Sequence, residues 1–239
     1  MSGIDGNSPN DAQQRLEVPG AVGRPKQGLP RVADLAIAVV SLIAVSPLLA
    51  AAAIAIRLES PGPVLYRQRR VGRDGEIFEL FKLRTMRQGA DPVGVGTAVT
   101  SEDPRVTRVG RLLRRFSLDE LPNLFNVLRG EMRIVGPRAT LPAQVELYTP
   151  RQRRRLDLRP GVTGWAQIHG RAGIPWEERI ELDVWYVEHR SLRLDLKILA
   201  RTPRALLGGV GGAAVDPYAG SSPDSPLRQA AEREQAREP

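Results

Sequence analysis

From Val32 to Ile56 the chain reads VADLAIAVVSLIAVSPLLAAAAIAI, apolar almost throughout. As a straight helix, rising ~1.5 Å per residue, that run is long enough to cross a hydrocarbon core of ~30 Å. It starts too late, runs too long and continues too directly into folded sequence to be a cleaved signal peptide. It also exceeds the usual length of a core helix in a soluble protein, the competing reading. The rest of the chain must therefore fold against a membrane.

Whether the segment crosses is a separate question. Arg24, Lys26 and Arg31 precede it, and Arg57, Arg67, Arg69, Arg70 and Arg73 follow it, so the positive-inside rule pulls both ends to the cytoplasm. Pro47 removes a backbone donor past the middle of the run, and Ser46 offers a hydroxyl to the carbonyl so freed. Asp34 near the start is costly in lipid unless it stays at the interface or meets a cation such as Arg31. A helix that enters one leaflet, bends at Ser46-Pro47 and returns to the same side accounts for all three features. An ordinary kinked transmembrane helix is the alternative.

The sequence holds 35 Lys+Arg against 27 Asp+Glu, a formal charge of +8. That balance favours an anionic partner: nucleic acid, a phospholipid surface or a phosphorylated substrate. There is no Cys, and His169 and His189 are the only imidazoles. Disulfides and thiolate chemistry are excluded and only those two His are left as imidazole ligands, so any catalysis must rest mainly on carboxylates, Lys and Arg, with hard-metal chemistry open to it. Residues 1–30 and 208–239 are rich in Gly, Pro and polar residues without an apolar period, and read as a disordered arm and tail. One domain, residues 31–207, is left to fold.

Asp74-Gly75 between Val64–Val71 and Ile77–Leu83 predicts a β-hairpin. Phe78, Leu80, Lys82 and Arg84 alternate onto one face of its second strand, aiming two cations the same way. A loop over 89–110 and a short basic helix, GRLLRRF, lead into RRFSLDELPNLFNVLRG. There Ser117 and Glu120 have the capping-box spacing, and Asp119 with Glu120 would open a helix that ends at Gly130. Taken alone, that acidic pair is a helix cap, since the helix dipole favours acids in first turns. Gly136-Pro137-Arg138 forms a tight turn displaying an Arg, and RPGVTGWAQIHGR sets Arg159 and Arg171 amid glycines. Such stretches suit guanidinium contacts to phosphate, or are plain turns with solvated Arg.

In PWEERIELDVWYVEHR, Trp176, Ile180, Val184 and Val187 make an apolar helical stripe with Asp183 in its midst. A carboxylate there must be paired or metal-bound. In SLRLDLKILARTPRALL, Arg193, Lys197, Arg201 and Arg204 line one face, as on a helix lying on an anionic membrane, and Asp195 falls on the apolar side. The Leu alternation at Leu192–Leu196 leaves a strand open, although Leu prefers helix.

The blocks SPGPVLYRQRRVG, FKLRTM, SLDELPNLFNVLRGEMRIVGPR, RPGVTGWAQIHGR and ELDVWYVEHRSLRLDLKIL occur in order between about Arg31 and Leu207. Together they resemble the bacterial sugar transferases, the monotopic polyprenyl-phosphate phosphoglycosyl transferases, in their short form. The resemblance implies an α+β fold, mainly helical with a small β-hairpin, held by a re-entrant helix over residues 32–56 and by interfacial amphipathic helices. It places the Asp-Glu dyad on Asp119 and Glu120, the helix-breaking pair on Ser46 and Pro47, and a phosphate-binding block on Lys82 and Arg84. The family's Pro-Arg-Pro turn falls on Pro137 and Arg138, with Ala139 where the second proline is expected. Glu131 and Arg133 replace the commoner Asp and Ser, and His169 stands where Asn or Ser is often seen.

The implied reaction is transfer of a sugar-1-phosphate from a uridine diphospho-sugar to polyprenyl phosphate. Asp119 would be the nucleophile, Glu120 with Asp119 would hold Mg²⁺, and Lys82, Arg84, Arg138 and Arg171 would steady phosphate, with Asp183 orienting one of them. The helix beginning at the dyad would keep Asp119 ionised. Also implied are a place on the cytoplasmic face of the inner membrane, other glycan-assembly enzymes and a second copy of the chain as partners, and no nucleic acid. Two other classes stand beside this one: a membrane-anchored nucleic-acid protein, and a non-catalytic scaffold whose dyad is merely a cap.

Overall fold

The computed structural model describes residues 27–90, 103–170, 174–207 and 225–235. The expected arm up to residue 26, residues 91–102 of the expected loop, Arg171, and residues 208–224 and 236–239 of the expected tail lie outside them.

Helix α1, Arg31–Glu59, contains the whole apolar run. Pro47 cannot donate to the carbonyl of Ile43 four residues back, and Ser46 Oγ donates to that carbonyl at 2.8 Å instead. The helical hydrogen bonding continues on either side of Pro47 within one helix.

Both ends of α1 are fastened to the rest of the protein. Near its start Asp34 is fully buried, pairs with Arg133 Nε at 2.7 Å and accepts from the Ile134 amide at 3.1 Å. Arg31 lies 4.0 Å from Asp34 and donates instead to the Met132 and Val127 carbonyls. The expected cation, Arg31, is thus at the outer limit of an ion pair with Asp34, and the direct hydrogen bond is made by Arg133. Just ahead of α1, the Leu29 amide donates to Asp195 at 2.7 Å, and the Leu29 carbonyl accepts from Arg133. At the other end Glu59 accepts from the Arg108 and Val109 amides at 2.7 and 2.8 Å. Between the two anchors Val39, Val40, Ile43 and Leu48 are exposed, an apolar surface with no protein cover among the described residues.

Strands β1, Leu65–Val71, and β2, Ile77–Leu83, pair antiparallel from Leu65↔Leu83 to Val71↔Ile77, as the Asp74-Gly75 signal requires. Asp74 and Gly75 both take positive φ, 55° and 81°. Helix α2, Arg108–Arg115, is capped by the Thr107 hydroxyl, which accepts from the Gly110 amide at 2.9 Å. Helix α3, Asn123–Arg129, stops at Gly130 in the left-handed region, φ 86°, as expected of a C-cap glycine.

The expected capping box at Ser117 does not form. Ser117 itself takes φ 55° and its side chain makes no cap hydrogen bond, while Leu118–Glu120 is a single 3₁₀ turn set apart from α3 by Leu121 and Pro122. The proline fixes the start of α3 and leaves the dyad outside it.

A second, parallel pair, β3, Arg133–Val135, with β4, Gly161–Thr163, registers Arg133 on Gly161 and Val135 on Thr163. It exists because glycines let the two backbones close: a Cβ on Gly136 would stand 2.6 Å from the Arg159 carbonyl oxygen and 2.7 Å from the Gly161 nitrogen. Short helices α4, Pro142–Glu146, α5, Pro150–Arg153, and α6, Trp165–Ile168, lead to α7, Trp176–His189, and α8, Leu192–Leu207. On α7, Ile180, Asp183, Val184 and Val187 are buried as the stripe predicts. On α8 the strand alternative is not taken; Arg193, Lys197, Arg201 and Arg204 are exposed, while Asp195 is fully buried.

A last helix, α9, Pro226–Gln235, stands where the tail was expected to be unstructured. Leu227 is buried among Val145, Tyr148, Ile180 and Val184. One apolar anchor behind Ser225-Pro226 makes no period in the sequence, which is why composition pointed the other way.

Candidate active site

The site is assembled from three segments that a single side chain helps to align. Asn126 of α3 is fully buried; its Oδ1 accepts from the Phe81 amide at 3.1 Å and its Nδ2 donates to the Glu79 carbonyl at 2.6 Å. This fixes β2 against α3, so that Lys82, the next residue, faces the 3₁₀ turn. From there Lys82 Nζ donates to Glu120 Oε1 at 3.0 Å. Arg138, in the turn after β3, donates to Glu120 Oε1 at 2.6 Å and to Oε2 at 3.4 Å.

The Lys82 and Glu120 side chains are only 16% and 19% exposed, so little water screens the cluster. Burial opposes the charge on Glu120, but Arg138 and Lys82 outweigh it and hold the carboxyl well below the usual carboxylate range. Burial of Asp119 raises its carboxyl above that range; Lys82 pulls it back, Glu120 pushes it further up, and the net direction is upward. Burial also lowers the Lys82 ammonium, against the pull of Glu120. The expected helix start plays no part, since α3 begins after Pro122. Asp119 depends on Lys82, Arg114 and Arg138 for its ionised form.

Arg138 is itself held by a buried frame. Asp183 Oδ2 accepts from the Arg138 amide at 3.2 Å and from Arg155 Nη2 at 2.5 Å. Arg155 donates in turn to the Arg138 carbonyl at 3.0 Å and to Tyr148 Oη at 2.6 Å. Asp183 is thus both a structural ion pair and the group that orients the Arg138 turn. Pro137 contributes through its carbonyl, which accepts from the Gly161 amide at 2.8 Å. At the position of the family's second proline, the Ala139 carbonyl accepts from Arg70 at 3.2 Å.

A cavity of about 470 Å³ opens over Asp119, bounded also by Lys82, Arg84, Arg138 and Arg70. Arg84 is at its wall, yet its guanidinium is taken up by the turn after α1, donating to the Ser60 and Pro61 carbonyls at 2.7 Å each. Lys82, Arg138 and the dyad therefore converge as expected, while Arg84 secures the end of the membrane helix. Arg171 lies outside the described residues. Sequence reasoning missed Arg70, Arg155 and Asn126. Arg155 sits in the run RQRRRLDLRP, where nothing marks one Arg as buried, and Asn126 looks like any polar helix residue.

Among the described residues no three His, Cys, Asp or Glu gather as a ready metal site. The pair Asp119 and Glu120 matches what Mg²⁺ asks of protein beside a diphosphate, one or two carboxylates with phosphate and water completing the shell. Oε2 of Glu120, with one contact at 3.4 Å, is the oxygen left for it.

Residues 25–209 match the model of the bacterial sugar transferase family. The uncharacterized sugar transferase EpsL of Bacillus subtilis (strain 168) is 44% identical over 183 residues, 77% of this chain and 89% of that protein. A UDP-glucose:undecaprenyl-phosphate glucose-1-phosphate transferase of Caulobacter vibrioides is 47% identical over 200 residues, 77% of this chain and 74% of that one. The exopolysaccharide production protein ExoY of Sinorhizobium fredii is 39% identical over 198 residues, covering 77% and 87%.

Proposed function

The chain belongs to the bacterial sugar transferase family, and from that footing we propose that it transfers a sugar-1-phosphate from a UDP-sugar to undecaprenyl phosphate. A Caulobacter relative is named for that reaction with glucose. The observation that carries the reading is the dyad itself: Asp119 lines a cavity walled by Lys82, Arg70 and Arg138, cations suited to a diphosphate. A helix cap on a scaffold would need none of them.

Two displacements follow. An Asp119 carboxylate oxygen attacks the sugar-bearing phosphorus; the bond from that phosphorus to the bridging oxygen breaks, and UMP leaves with the electron pair. An oxygen of undecaprenyl phosphate then attacks the same phosphorus, the bond to Asp119 breaks, and the carboxylate is regenerated. Lys82 and Arg138 bind the phosphates and spread the developing charge, and Asp183 with Arg155 keeps Arg138 in place. Mg²⁺ held by Glu120 and Asp119 would supply further neutralisation of the diphosphate.

The fastening of α1 at both ends supports the re-entrant reading. Asp34 and Glu59 tie opposite ends of the helix to one protein body, and the stretch about Ser46-Pro47 is exposed between them. A helix dipping into one leaflet can keep both ties on the cytoplasmic side. The arrangement also suits the chemistry, because one substrate is soluble and the phosphate of the other lies at the lipid interface. The larger cavity reaches Pro63 and Leu65, just past the end of α1, where such a headgroup would arrive.

The test is transfer of labelled sugar phosphate to undecaprenyl phosphate by the wild type and by Asp119→Asn. Loss of transfer in the variant is expected; undiminished transfer would remove Asp119 as nucleophile.

A further inference from the structure

Beside the cavity over Asp119 lies a second, of about 250 Å³. The two share Arg114, Ser117, Glu120, Arg138, Trp176 and Arg179, but Asp119 belongs to the first alone. Gln167 of α6 lines the second and is 8% exposed. Neither its carboxamide nitrogen nor its carboxamide oxygen has a hydrogen-bond partner among the described residues. Oδ1 of Asp183, on the same lining, is also buried and unpaired. A buried donor or acceptor left unpaired costs roughly 1–3 kcal/mol, so a fold that keeps a carboxamide with both ends unpaired has a use for them. Room for it is made by Gly164, where a Cβ would stand 2.6 Å from Gln167 Oε1.

A carboxamide presents a donor and an acceptor side by side. Its complement is a planar group with an N–H next to a carbonyl, the imide edge of a uracil-type base. Size and connectivity agree with that occupant. The volume falls below the ~300–1,000 Å³ of sites for drug-sized ligands, so the cavity takes one part of a nucleotide sugar. The phosphorus under attack, with its sugar, must sit where Asp119 is, in the larger cavity. The nucleoside is one phosphate further along, past the shared wall of Glu120 and Arg138. Trp176 gives the second cavity an aromatic side for a flat ring.

We propose that the smaller cavity seats the nucleobase of the donor and that Gln167 reads its imide edge, which makes Gln167 a residue of nucleotide specificity. This rests on the donor reading above and adds to it the place of each part of the donor.

The test uses the full chain in detergent micelles and compares binding of UMP with that of N3-methyl-UMP, which lacks the imide proton. The wild type is expected to bind the methylated nucleotide about tenfold or more weakly, the loss of one hydrogen bond or more. In Gln167→Leu, which keeps the volume and removes both polar atoms, that preference is expected to collapse. Gln167→Glu, which accepts but cannot donate when ionised, is expected to weaken UMP itself. Equal binding of the two nucleotides by the wild type overturns the inference whatever the variants do, and so does full discrimination by Gln167→Leu. If the wild type transfers sugar phosphate yet binds both nucleotides equally, this inference alone falls. If it neither binds UMP nor transfers, the donor reading falls with it.

Discussion

Lys82 and Glu120 meet through a 3.0 Å ion pair whose acceptor, Oε1, also takes Arg138 at 2.6 Å. One carboxylate oxygen thus collects two of the cations that bound the cavity over Asp119. Glu120→Gln keeps the shape and removes the charge that gathers them. Transfer is expected to fall by about 10²-fold or more, the scale seen when one preorganised electrostatic contact is lost at a reacting phosphate or oxyanion. Steady-state kcat/KM for lipid-linked sugar formation measures it.

Acid and base limbs of the pH profile belong to different groups. The nucleophile must be ionised, and burial raises the Asp119 carboxyl, so activity is lost on acidification above the pH expected for an ordinary Asp, about 3.9. Glu120 lies well below the usual range and stays charged there, so the acid limb reports Asp119. At the other end, Lys82 loses its proton below the usual Lys range, and the basic limb comes early. Lys82→Met removes a cation from Asp119, and its acid limb is expected at higher pH than in the wild type. A pH series of kcat/KM for both proteins checks the direction.

Asp183→Ala leaves the Arg155 guanidinium buried without its anion. Breaking such a pair by removing one partner costs about 3–5 kcal/mol, and the variant is expected to show that loss in thermal or denaturant unfolding. Asp183→Asn retains an acceptor for the Arg138 amide, so it is expected to keep more transfer activity than Ala. A merely structural Asp183 would lower stability in both while leaving the KM for the nucleotide sugar unchanged.

Removing divalent cations is expected to stop transfer, and Mg²⁺ to restore it. Glu120→Gln should raise the Mg²⁺ concentration needed for half-maximal rate. Full activity in excess chelator would exclude the divalent ion from the reaction.

What the sequence made legible follows from where each signal is local. The hairpin was readable because Asp74-Gly75 is a short-range turn code, and the end of α3 because Gly130 can take positive φ at little cost. Asp183 announced itself as a carboxylate on an apolar stripe, although its partner did not: Arg155 comes from a segment 28 residues away in the chain. The Ser117 cap failed for the opposite reason. Its spacing was right, but Pro122 sets the true start of the helix and Ser117 takes a left-handed turn. Asp34 was expected to need a cation such as Arg31; Arg31 does stand within ion-pair distance, and the closer partner, Arg133, comes from a segment 99 residues on, which proximity along the chain does not reveal. The smaller cavity, lined by Val162 and Thr163 of β4, and the unpaired carboxamide of Gln167 depend on the close approach of Gly164 to Gly136, which no local pattern records.

The central claim is that Asp119 becomes bonded to phosphorus during turnover. Its most direct measurement is incubation of the protein with a UDP-sugar labelled at the sugar-bearing phosphate, without lipid acceptor, followed by mass analysis of the intact chain and its peptides. The account predicts a sugar-phosphate adduct on the peptide containing Asp119, discharged by added undecaprenyl phosphate and absent in Asp119→Asn. A wild type that makes lipid-linked sugar but never carries the adduct, or an adduct that survives in Asp119→Asn, would contradict it.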